Sequence, residues 1–217
     1  MTALAIAHRA GNSLAGLHEA NVLGVDVVEC DVHEFRGRLE VRHLKTAGPL
    51  PFLWDRWELA SASAPRLGLR ELLEADARRT TFMLDLKGRH TGAARSVARL
   101  LHELGHHQPV LVCGRHWPSV EVLTTLPYVR PVLSARTRAE LGRLRSRVAD
   151  GDRVHGVSVH RTLLDDALVE ELLRRVEVVM TWPVNDSTTL ATVLAVGVNG
   201  VISDESAVLR ELLAERG

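Results

Sequence analysis

Long apolar runs are missing from this chain: nothing in it approaches the about 18 consecutive apolar residues of a membrane-spanning helix. The opening MTALAIAHRA has neither the basic head nor the apolar length of a secretion signal. Stable membrane insertion is therefore not expected, and a cytoplasmic setting is. An excess of charge is missing too, since 27 Lys and Arg face 27 Asp and Glu. No global field draws the chain to nucleic acid or an anionic membrane, so an anionic ligand must be recognised locally. Cysteine is scarce. Cys30 and Cys113 lie far apart in apolar runs and match neither a zinc spacing nor a redox pair, which predicts two buried free thiols. A GxGxxG fingerprint is absent, which removes one reason to expect an open dinucleotide-binding sheet.

What is present is a rhythm. Short apolar runs recur as LAIAH, VDVVECDV, TFMLDLK, PVLVCGR, RPVLSAR, HGVSVH, VEVVMTWPV and NGVISD. Between them lie segments with Leu or Val at three- and four-residue spacing, such as TRAELGRLRSRVAD and LLDDALVEELLRR. Eight strands, each followed by a helix, predict a closed (β/α)8 TIM barrel, with residues 1–217 as a single barrel domain. Two places break the rhythm. LEVRH reads as a short hairpin partner of the second strand after a turn at Gly37, and the Pro- and Trp-containing stretch that follows reads as an ordered insertion placed like a lid.

Barrels of this kind gather function at the C-terminal ends of their strands. The sequence places His8 and Arg9 after strand one, Glu29 and Asp31 on two, Asp85 and Lys87 on three, and Arg115 and His116 after four. Arg136 follows five, His160 six, Trp182 and Asn185 seven, and Asp204 eight. Residues i and i+2 share a strand face, so Glu29 with Asp31, and Asp85 with Lys87, point into one cavity. Three converging carboxylates repel one another unless a cation sits among them, and an oxygen-only ligand set suits Mg2+ or Ca2+. Arg9 and Lys87 suit a phosphate, and His8 and His43 suit proton transfer near neutral pH. Blander roles are expected elsewhere: Asp204 as a helix cap, His33 exposed at the hairpin rather than on the strand's inward face, which is the other reading open to it, and His102, His106 and His107 solvated.

The ordered set AHRA, NS, VECDVHEF, LEVRH, MLDLK and MTWPVNDS resembles the glycerophosphodiester phosphodiesterase family along essentially the whole chain. The resemblance implies that His8 and His43 are the acid and base and that Glu29, Asp31 and Asp85 hold a divalent cation. Arg9 and Lys87 would contact phosphate, and Trp182 the substrate. It further implies cleavage of a small-molecule phosphodiester to glycerol 3-phosphate and an alcohol, the glycerol 2-hydroxyl attacking first. No nucleic acid partner is expected, and a homo-oligomer is left open.

The sequence departs from the family pattern at four points. HRA stands for His-Arg-Gly; Gly11 stands where a glutamate is usual, in a shortened loop; Leu44 replaces the aspartate after the hairpin histidine; and Asp85 replaces a glutamate. Two other readings stay open. One is a lysophospholipase D or sphingomyelinase D-like enzyme, for which PLPFLW would form an apolar rim. The other is a non-catalytic barrel that binds phosphorylated ligands. Trp54 and Trp57 are expected either to lean over the pocket or to pack as the insertion's own core.

Overall fold

The structure, a computed structural model, describes residues 2–48, 50–56, 58–76, 80–151 and 153–216. Eight parallel strands form the barrel: β1 (Leu4–Ala7), β2 (Val27–Phe35), β7 (Thr81–Leu86), β8 (Val110–Gly114), β9 (Val129–Ala135), β10 (Gly156–His160), β11 (Val178–Trp182) and β12 (Gly200–Ser203). They are ordered β1-β12-β11-β10-β9-β8-β7-β2, and β1 pairs with both β12 and β2, which closes the barrel. Each barrel strand is followed by its helix: α1 (Leu14–Leu23), α2 (Leu69–Ala75), α3 (Gly92–Glu103), α4 (Trp117–Leu123), α5 (Arg138–Ala149), α6 (Asp166–Leu173), α7 (Ser187–Ala195) and α8 (Ser206–Ala214). The expected barrel is present.

Alternation along the strands divides the core into two layers. Inside the barrel lie Ile6, Val27, Met83, Leu111, Cys113, Val132, Val178, Met180 and Ile202. Outside it, Val28, Cys30, Val32, Phe82, Leu84, Val112 and Val157 meet the helices. The interior is tight: a Cβ on Gly200 would lie 2.7 Å from Met180 Cγ, so only glycine fits there. Helix starts follow their sequence signals. Thr137 and Glu140 form a capping box on α5, and Ser13, Asp165 and Asp186 cap α1, α6 and α7. At the floor, Arg216 grips Asp26 in a fork at 2.9 and 2.6 Å, tying the end of the chain to the start of β2.

The hairpin strand β3 (Arg38–Val41) pairs antiparallel with β2, Phe35 opposite Arg38. The two connecting residues, Arg36 and Gly37, both have positive φ, as a tight primed turn requires. The insertion then forms a small antiparallel sheet of β4 (Lys45–Thr46), β5 (Phe52–Trp54) and β6 (Leu59–Ser61). One face is anchored by Leu53, buried with Leu44 and Ala62. The other carries Trp54, opposite Leu59 and Lys45, and faces solvent. Trp54 is therefore not a core of the insertion; Lys45 Nζ lies 5.3 Å from its ring. Trp57 lies outside the described residues. Among the described residues, no helix is long and apolar enough to cross a membrane.

Candidate active site

The site begins with β2 and β7, whose register sets Asp31 beside Asp85. Glu29, Asp31 and Asp85 each offer an oxygen within 4.8 Å of the others. Glu29 and Asp31 are buried at 2% and 1% exposure, which places two acids where water cannot screen them. Their environments diverge. Burial, and then the neighbouring Asp31 charge, pushes the Glu29 carboxyl up to about 7. Burial also works against an ionised Asp31, but the hydrogen bond with His43, the Lys87 ammonium and the Asn12 amide overcome it and hold Asp31 well below the usual carboxylate range.

Lys87 stands among the acids. Its Nζ lies 2.5 Å from Asp31 Oδ1 and also contacts Asp85 Oδ2. Oδ1 of Asp31 is buried, and the Lys87 ammonium is the cation beside it. Burial opposes the charge on Lys87, yet the Asp85, Asp31 and Glu29 charges raise its pKa above the usual lysine range. One ammonium against three carboxylates leaves negative charge uncompensated when all three are ionised. An all-oxygen cluster of three carboxylates fits a hard divalent cation.

The turn after β1 is built to serve this cluster. Arg9 adopts left-handed backbone geometry, φ 55°, which costs a non-glycine residue about 1 kcal/mol. That conformation aims its N–H at Glu29 Oε2, 2.6 Å away, while its Nε lies 3.7 Å from Asp31 Oδ2. Asn12 clamps Asp31 from both sides: its Nδ2 donates to Asp31 Oδ2, and its Oδ1 accepts from the Asp31 N–H, each at 2.8 Å. Gly11 is buried against β2. A Cβ there would lie 2.8 Å from Cys30 Cβ, so the shortened turn is pressed onto the outer face of β2 and has room only for glycine.

The two histidines stand on either side of the acids, and each is held between two carboxylates. His8 Nδ1 bonds Asp204 Oδ1 at 2.8 Å, while Nε2 faces Glu29 Oε2 at 3.9 Å. Burial alone would lower the His8 pKa; the Asp204 hydrogen bond and the Glu29 charge outweigh it and leave it raised. His43 Nδ1 faces Asp31 Oδ2 at 3.2 Å, and its Nε2 meets Asp55 Oδ2 at 2.9 Å. Beneath His43, the buried Arg42 bonds Glu40 Oε2 at 2.7 Å and the Leu44 carbonyl, fixing the end of the hairpin.

Several placements differ from the sequence reading. Asp204 does not cap α8, whose first turn is preceded by Glu205. Its carboxylate instead joins His8 to the Nδ2 of Asn185, 3.1 Å away, and the His8 hydrogen bond pulls its pKa down to about 2. His33 is not exposed: it shares the face of Glu29 and Asp31, its Nε2 is buried without a partner, and burial pulls its pKa to about 3. His106 Nε2 is likewise buried, beside Tyr128. Asp55 carried no motif of its own, and for Asn12 the one available signal was its place in the NS of the ordered set. On the far rim, Trp182 packs over the barrel interior and meets the His160 ring edge-on at 5.0 Å. His116 Nδ1 pairs with Ser119 at 2.8 Å, Arg115 forks onto Glu140 at 3.0 and 2.6 Å, and the Arg136 N–H donates to the same Glu140. Both cysteines are free and buried, as expected.

The whole chain superposes on solved structures of one enzyme type. A phosphodiesterase from Oleispira antarctica, in complex with the product sn-glycerol-3-phosphate, aligns with TM-score 0.76 at 18% identity over 96% of each chain. Glycerophosphodiester phosphodiesterases from Agrobacterium tumefaciens and Thermotoga maritima align at TM-scores 0.72 and 0.71, with 18% and 17% identity, covering 99% and 100% of this chain and all of theirs. The fold is that of glycerophosphodiester phosphodiesterases. No family model matches the sequence, and no curated protein matches it either. The likeness lives in backbone geometry.

Proposed function

We propose that the chain is a metal-dependent phosphodiesterase that cleaves glycerophosphodiesters to glycerol 3-phosphate and an alcohol. The observation that carries this reading is the pair of histidines, His8 and His43, each turning one ring nitrogen toward the Glu29, Asp31 and Asp85 cluster from a different side. A bound Mg2+ or Ca2+ held by those three carboxylates would polarise the phosphoryl oxygens and lower the pKa of an attacking hydroxyl. Arg9 and Lys87 stand at the cluster with the charge to pair with phosphate oxygens. One histidine takes the proton of the glycerol 2-hydroxyl as its oxygen attacks phosphorus; the other gives a proton to the departing alkoxide. In the second half the roles reverse, water replacing the alcohol and opening the cyclic phosphate to glycerol 3-phosphate.

A lipid substrate is the second reading, and one observation favours it. Leu50, Trp54 and Leu59, three of the exposed large apolar side chains, all belong to the insertion that also brings Asp55 to His43. The deciding experiment measures glycerol 3-phosphate and free headgroup release from glycerophosphocholine, glycerophosphoethanolamine, glycerophosphoglycerol and lysophosphatidylcholine, with and without chelator. Chelator-sensitive turnover of the first three supports the main reading, and preference for the lysolipid supports the second. No turnover of any of them with Mg2+ or Ca2+ present rejects both and leaves a binding barrel.

A further inference from the structure

We propose that Asp55, carried by the insertion rather than by the barrel, is the positioning residue of His43: it fixes the orientation of the ring while the opposite nitrogen works on the substrate. The proposal rests on the reading of His43 as one half of the acid–base pair. The argument starts from the ring. His43 Nδ1 is the nitrogen turned to the acid cluster, 3.2 Å from Asp31 Oδ2, and so to the place where a phosphate would be held. Its Nε2 is turned away from that place and ends on Asp55 Oδ2 at 2.9 Å. A carboxylate on the far nitrogen holds the ring in plane and keeps the near nitrogen aimed at the cluster.

His8 shows the same arrangement in a second copy. Its far nitrogen, Nδ1, ends on Asp204 Oδ1 at 2.8 Å, and its near nitrogen faces Glu29. Each histidine therefore stands between one buried carboxylate of the cluster and one carboxylate on the rim. For His8 the rim carboxylate comes from the end of a barrel strand. For His43 it comes from the insertion.

Local folding delivers Asp55 there. Leu53 is buried on Leu44 and Ala62, which pins β5 against the hairpin. Alternation then turns Trp54 outward, onto Lys45, and Asp55 back inward. The Asp55 N–H donates to the Glu58 carbonyl at 2.8 Å, closing the turn, and Lys45 Nζ lies 3.8 Å from its Oδ1. Leu44, the residue that directly follows His43, is an apolar peg for this sheet and cannot orient the ring itself.

Asp55→Ala should lower kcat for glycerophosphocholine about 10-fold or more with Mg2+ saturating, leave KM within about twofold and leave the melting temperature unchanged. Asp55→Glu should keep more activity than Asp55→Ala. In a His43→Ala background, Asp55→Ala should cost nothing further, because a positioning residue acts only through the group it positions. Long-range proton–nitrogen NMR gives a readout independent of turnover: the Nε2 signal of His43 should shift in Asp55→Ala, while the ring signals of His8 stay in place. An unchanged kcat, a full additional loss on top of His43→Ala, or an unmoved Nε2 signal would overturn the proposal. If His43→Ala itself leaves turnover intact, the functional reading of His43 falls, and this inference with it.

Discussion

His8 and Asp204, from opposite ends of the chain, meet at 2.8 Å across the seam where β1 pairs with β12. The contact exists only once the barrel has closed, so it joins closure of the fold to the orientation of a candidate acid–base group. Asp204→Asn keeps the shape of the side chain and removes its charge. Turnover should fall about 10-fold with little change in KM, measured by steady-state kinetics.

The same pair predicts a pH dependence of stability. The hydrogen bond from His8 holds Asp204 at about 2, below the ordinary aspartate value near 3.8. A carboxylate depressed by folding stabilises above its unfolded pKa and loses that contribution as pH falls through the folded one. Stability should therefore drop between about pH 4 and pH 2, by about 1 kcal/mol from this group once solvent screening is allowed for. Urea midpoints should show a smaller acid loss in Asp204→Asn than in the parent. Equal losses would show that the bond does not matter to folding.

His8→Ala and His43→Ala should each reduce turnover by about 10²-fold or more while leaving the circular dichroism spectrum that of the folded barrel. Near-normal activity in either variant removes that residue from the chemistry.

Chelation should abolish activity, and Mg2+ or Ca2+ should restore it. Because burial keeps a proton on Glu29 up to about pH 7, and a ligand must shed its proton, metal affinity should rise as pH increases from 6 to 8. Titration calorimetry in buffers of different ionisation heat should detect proton release at the lower end of that range. Asp31→Asn should weaken the affinity at every pH.

Lys87→Met separates two effects of one charge. Removing the ammonium takes away the cation that both Asp31 and Asp85 contact, so stability in chelator should fall by about 2–3 kcal/mol. Metal affinity should rise, because a competing cation is gone, while turnover falls through the lost phosphate contact. A variant that binds metal more weakly would contradict this account of the cluster.

Gly11→Ala should destabilise the fold by about 1–3 kcal/mol, because the new Cβ meets Cys30 across a 2.8 Å gap and one of the two must move. If the position faced an open pocket instead, thermal unfolding would scarcely change.

The strands and the acidic cluster were legible in the sequence because both depend on short-range rules. Period two sets which side chains share a strand face, so Glu29 with Asp31, and Asp85 with Lys87, could be placed in the barrel mouth from spacing alone. The apolar runs and helical spacings between them sufficed for the barrel itself. The environment of each group followed a different logic. Asp204 looked like a helix cap because acids before helices usually are, yet barrel closure brings it to a histidine nearly the whole chain away, and a bond to that ring replaces the cap. Asp55 sat in an irregular stretch, and its direction depends on Leu53 finding Leu44, a packing choice between segments. Gly11 resembled a lost acid until the tight turn placed it against β2. Faces along a strand are set by local backbone geometry; partners across a seam or an insertion are set by where closed packing brings distant segments, and only the tertiary structure decides that.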